Sequence, residues 1–83
     1  MSFIDYLKNR HLHIEKANRI GDTSARQYKS RLENLIDKGI YIDEGSVTSE
    51  ISEMIKGYYV NKTGEYERTL RYYIEYRKHI EKQ

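Results

Sequence analysis

Thr23-Ser24-Ala25-Arg26-Gln27-Tyr28-Lys29-Ser30-Arg31-Leu32-Glu33-Asn34-Leu35-Ile36-Asp37-Lys38-Gly39 is the stretch whose reading decides the fold. Ala25, Tyr28, Leu32, Leu35 and Ile36 follow one another at spacings of 3, 4, 3 and 1, which puts them on one face of an α-helix. Asp22 or Thr23 is expected to cap its start by accepting hydrogen bonds from first-turn amides. Gly39 is expected to end it, because glycine takes the left-handed conformation that closes a last turn, and Lys38 suits the negative end of the dipole.

The same periodicity extends in both directions. Upstream, Phe3, Ile4, Leu7, Ile14 and Ala17 predict one helix from Ser2 to about Arg19, weakened in its middle by Asn9, His11 and His13 and stopped by Gly21. Downstream, Ile40-Tyr41-Ile42 is β-prone but too short to form a sheet without a partner, so it reads as a loop with buried anchors, followed by a turn at Asp43-Glu44-Gly45-Ser46. Thr48 or Ser46 can cap a third helix with the face Ile51, Met54, Ile55, Tyr58 and Tyr59, in which Gly57 weakens the last turn. After a break at Asn61-Lys62-Thr63-Gly64, Tyr66, Leu70, Tyr73, Ile74, Arg77 and Ile80 trace the stripe of a long fourth helix. Four helices with one apolar face each must pack on one another, which predicts an all-α orthogonal or bundle-like domain over residues 1–83.

The chain has 83 residues and lacks Cys, Pro and Trp. Disulfides, thiolate metal sites and cysteine nucleophiles are therefore excluded, and the length suits one small core. No apolar run approaches the roughly 18–20 residues of a membrane span and the first residues do not resemble a signal peptide, so the expected location is cytoplasmic. The formal charge is only +2, from 15 basic and 13 acidic residues, but its distribution is uneven. Residues 1–39 carry eight Lys/Arg against five Asp/Glu, and residues 40–83 seven against eight.

Opposite the apolar face of the second helix stand Arg26, Lys29, Ser30 and Asn34, flanked by Gln27 and Arg31. Thr23, in the first turn beside Arg26, adds backbone amides that favour an anion. The fourth helix presents Arg68, Arg71, Tyr72 and Lys78, so two basic helices can flank one duplex, with Arg forks and Tyr hydroxyls reaching phosphate. The bland alternative is a solvated face, with Arg71 held between Glu67 and Glu75 in pairs worth only about 0.2–0.5 kcal/mol each. Of the nine tyrosines, Tyr28, Tyr58, Tyr59, Tyr66 and Tyr73 fall on apolar stripes, which leaves Tyr6, Tyr41, Tyr72 and Tyr76 for the surface. His11 and His13 do not converge on a helix, so no metal site is expected. With no catalytic constellation and no Gly-rich phosphate loop, neither an enzyme nor a cofactor is expected.

Phe3-Ile4-Asp5-Tyr6-Leu7, the segment Thr23 to Leu32, the Thr-led third helix and Arg68-Thr69-Leu70-Arg71-Tyr72-Tyr73-Ile74-Glu75-Tyr76 together resemble the N-terminal core-binding domain of tyrosine recombinases, the phage integrases. The resemblance covers nearly the whole chain. It implies a four-helix SAM-like orthogonal bundle that clamps double-stranded DNA during DNA recombination and integration, without catalysis of its own. Thr23, Arg26, Lys29, Arg31, Arg68, Arg71 and Lys78 are the expected DNA-binding residues. The recombinase catalytic domain finds no room in 83 residues, so the expectation is either an excised integrase domain or a stand-alone protein that kept the DNA-clamping module. The alternative is a small phage or mobile-element regulatory protein, binding a protein partner through Tyr41, Tyr72 and Tyr76 or mimicking DNA with the acidic stretch from Asp43 to Glu53.

Overall fold

Ser2 begins the first element by accepting a hydrogen bond on its hydroxyl from the Asp5 amide at 3.1 Å, while Asp5 and Lys8 sit at the ends of the helix dipole that favour their charges. The computed structural model describes residues 2–82 and contains α1 (Phe3–Asn9), a short 3-10 turn (Arg10–Leu12), α2 (Asp22–Asp37), α3 (Ser49–Tyr58) and α4 (Thr63–Glu81). Among the described residues there is no strand, and no helix is long and apolar enough to cross a membrane.

The expected first helix is shortened. It ends at Asn9, whose side-chain amide donates to the Asp5 carbonyl at 3.0 Å, and the chain then passes through a 3-10 turn into irregular structure as far as Gly21. Asn and His are weak helix formers, and Lys16 adopts φ +66°, a conformation no α-helix contains. The cap of α2 also differs. Gly21 occupies the cap position without a side-chain bond, because the Asp22 carboxylate turns instead to Arg26 at 2.8 Å and Lys8 at 3.3 Å. Gly39 closes α2 at φ +70°, as its sequence context predicts, and the Ile40 amide returns to the Leu35 carbonyl at 3.0 Å. Thr48 caps α3 by accepting from the Ile51 amide at 3.2 Å, and α3 runs through Gly57 to Tyr58.

One core takes a stripe from every helix: Phe3 and Leu7 from α1, Ala25, Leu32 and Leu35 from α2, Ile51 and Ile55 from α3, and Tyr66, Leu70 and Ile74 from α4. Ile40 and Tyr41 complete it from the α2–α3 loop, while the adjacent Ile42 is 78% exposed. The outer part of the predicted α3 face is likewise in solvent, with Met54 and Tyr58 exposed, as are Ile36 on α2 and Ile80 near the end of α4. Arg31 on α2 reaches Glu65 on α4 at 3.2 Å, and Tyr28 meets Tyr72 edge-on at 5.2 Å, so the two helices run antiparallel. That packing sets their polar faces side by side.

Candidate nucleic-acid interface

Most of the expected contact residues separate into two grooves. Thr23, Arg26 and Arg31 line a shallow groove of about 500 Å³ together with Gln27, Asn34 and Lys62. Arg71 and Lys78 line a second of about 630 Å³ along the C-terminal half of α4. Arg68 is exposed, and its already high pKa is raised first by the Tyr28 hydroxyl and more weakly by Tyr72 and Glu65. The Arg31 guanidinium sits 5.5 Å from the Tyr28 ring centroid. Tyr28 therefore connects the cations of α2 to those of α4. Lys29 is exposed and lines neither groove.

These cations are not equally available. Arg26 is held by Asp22, whose carboxyl is drawn below its ordinary value first by the Arg26 hydrogen bond and then by that from Lys8. Arg31 is held by Glu65 at 3.2 Å, with its side chain only 20% exposed. Arg71 is mostly in solvent and touches Glu67 only at 3.9 Å, a long contact that water screens. No acidic side chain pairs with Lys29, Arg68 or Lys78 among the described residues.

Of the expected clamp on Arg71, the Glu67 pair forms, at 3.9 Å, and the Glu75 pair does not, because Glu75 faces a different partner. Its Oε2 accepts from the Tyr6 hydroxyl at 2.7 Å and from Arg10 Nε at 2.7 Å, and its Oε1 accepts from Arg10 Nη2 at 3.1 Å. Burial opposes the charged form of Glu75, but the Arg10 and Tyr6 hydrogen bonds outweigh it and hold the carboxyl below its ordinary value. Tyr6 moves the other way: burial and the neighbouring carboxylate push its hydroxyl well above the usual range. Arg10 also stacks 4.7 Å from the Tyr72 ring centroid, so one guanidinium ties the irregular segment after α1 to the middle of α4.

The tyrosine surface contracts correspondingly. Tyr6 and Tyr41 are each only 2% exposed, and Tyr41 donates its hydroxyl to the Glu44 carbonyl at 2.9 Å, so neither can anchor a partner. Tyr72 and Tyr76 are half-buried, whereas Tyr58, assigned to a core stripe by its spacing, is 59% exposed. The acidic stretch is partly engaged within the chain: Asp43 pairs with Arg77, and Glu44 accepts from the amides of Ile42 and Asp43. Lys62 stands outside the helical faces and only tertiary packing brings it to the first groove, and the role of Arg10 depends on Glu75, 65 residues away, so helical spacing identifies neither. Comparison with protein-family models, with curated proteins and with solved structures finds no significant match for this chain.

Proposed function

We propose that this chain is a DNA-binding module of the core-binding type, a SAM-like bundle that lays α2 and α4 against duplex DNA and holds it mainly by phosphate contacts. The observation that carries this reading is the packing of the two antiparallel helices, where Arg31 on α2 lies over the Tyr28 ring and pairs with Glu65 of α4, and Tyr28 packs edge-on against Tyr72 of α4, so that the cations of both helices share one side of the molecule. From Arg68 to Lys78 the α4 part spans about 15 Å of helix axis, enough to follow successive phosphates along one strand. Guanidinium groups and a tyrosine hydroxyl are the donors that phosphate oxygens accept. The chemistry positions a duplex and does not cut it.

The free and the paired cations contribute unequally. Lys29, Arg68 and Lys78 reach phosphate without leaving a carboxylate and Arg71 leaves only the 3.9 Å contact with Glu67, whereas Arg26 and Arg31 must first part from Asp22 and Glu65. Arg68→Ala and Arg71→Ala are each expected to weaken duplex binding about five- to tenfold, and Arg26→Ala less. Their melting temperatures should stay within about 4 °C of the parent, as for most surface substitutions. Fluorescence anisotropy with a random duplex at low salt, beside thermal melts, measures both. An Arg71→Ala protein that melts early yet binds duplex normally takes α4 off the DNA surface.

A further inference from the structure

The groove along the C-terminal half of α4 has a composition that duplex DNA does not explain. It holds about 630 Å³ between α4 and the turn at Gly45, Ser46 and Val47. Three cations line it, Arg71, Lys78 and Lys82, spread over about 16 Å of helix axis. Glu75 also borders it, but this carboxylate is already matched by the bidentate Arg10 guanidinium, so the remaining charge of the groove is positive. Ile74, which belongs to the core, lies between Arg71 and Lys78 on α4, and the half-buried Val47 lines the groove from the turn.

A duplex backbone presents phosphate and sugar on a convex surface and inserts no protruding aliphatic side chain into a concavity of this size. A length of about 16 Å equals some five residues of extended chain, at about 3.3–3.6 Å each. Acidic residues on both sides of a central aliphatic residue match cations set along one helix face, with the aliphatic side chain against Ile74 and Val47.

We propose that the groove between α4 and the 45–47 turn is a docking site for a short acidic peptide segment of a protein partner, whose carboxylates pair with Arg71, Lys78 and Lys82 and whose apolar side chain packs on Ile74 and Val47. The site does not depend on the duplex reading, although Arg71 and Lys78 serve both. A bound acidic segment and a bound duplex therefore exclude each other on α4, which gives a partner protein a means of displacing DNA.

The test is an NMR titration of the full chain with the blocked pentapeptide Glu-Asp-Leu-Glu-Asp at low salt. Saturable shifts confined to the amides around Ser46, Val47, Ile74, Lys78 and Lys82 are expected. Changing the peptide leucine to serine should weaken binding about tenfold, by removing the burial of one aliphatic side chain. Val47→Ser and Lys82→Glu should each weaken peptide binding at least about fivefold. Neither residue belongs to the proposed DNA surface, so Val47→Ser should leave duplex affinity unchanged, and thermal melts of both variants confirm folding. Loss of duplex binding with peptide binding intact would overturn the duplex reading alone. The docking proposal is overturned by equal binding of the leucine and serine peptides, by equal shifts from inorganic phosphate, by shifts scattered over every surface cation, or by self-association that fills the groove without peptide.

Discussion

Glu75→Ala is expected to lower stability by about 2–4 kcal/mol, because it removes in one step the acceptor of two buried or half-buried donors. The Arg10 side chain is 17% exposed and would keep an uncompensated charge, and the Tyr6 hydroxyl would lose its 2.7 Å acceptor. In a domain of this size that corresponds to a fall in melting temperature of about 10–25 °C. Glu75→Gln retains an acceptor for Tyr6 and should cost roughly half as much. The pH dependence has a definite sign. The Glu75 pKa is lowered in the folded state, so its contribution is fully present above the pKa of an unfolded glutamate and is lost as pH falls through the lowered folded value. Melts between about pH 7 and pH 3 should therefore show an acid-side decline that is flatter in Glu75→Gln. Parallel declines in the two proteins would remove the Arg10–Glu75–Tyr6 cluster from the forces that hold α1 to α4.

Leu70→Ala is the second large effect. Leu70 is fully buried at the centre of α4, in a core shared by all four helices. Truncation loses the transfer free energy of the deleted atoms and leaves a cavity, for an expected loss of about 2–5 kcal/mol by chemical denaturation. That is a large share of the total stability of a small domain. Duplex affinity should be retained at temperatures where the variant remains folded, since Leu70 lies under the cationic surface and not on it. A loss below about 1 kcal/mol would mean that α4 is not packed at this point.

The parts of this molecule that were legible in its sequence are those set by local rules. The stripes Ala25-Leu32-Leu35, Ile51-Ile55 and Tyr66-Leu70-Ile74 are spaced for helices and are buried as such. Gly39 and Thr48 act within four residues of themselves, so a stop and a start are readable without the fold. What escaped depends on distant partners. Ile14 and Ala17 keep helical spacing with Leu7, yet the chain tightens into a 3-10 turn after Asn9, Lys16 takes φ +66°, and Arg10 is committed to Glu75, 65 residues away. Tyr41 stood beside a turn and read as surface, but the return of the chain over Leu35 carries it inside. Asp22 had the chemistry of a cap, and its commitment to Arg26 and Lys8 is a choice between partners that sequence spacing alone leaves open. For the candidate site, helical periodicity placed Arg68, Arg71 and Lys78 on the outer side of α4 but did not separate the free cations from the paired ones.

The most direct measurement of the DNA-binding account is the salt dependence of duplex affinity for the unmodified chain. Three cations without a paired carboxylate and Arg71 with one long contact, joined by two that must exchange a close carboxylate, predict a slope of log K against log salt between about −3.5 and −5.5, near −0.9 for each phosphate neutralised. Arg68→Ala and Arg71→Ala should each reduce that slope by about 0.9. A slope near zero, or no duplex binding at low salt by a protein whose melt is intact, would contradict the assignment of α2 and α4 to DNA.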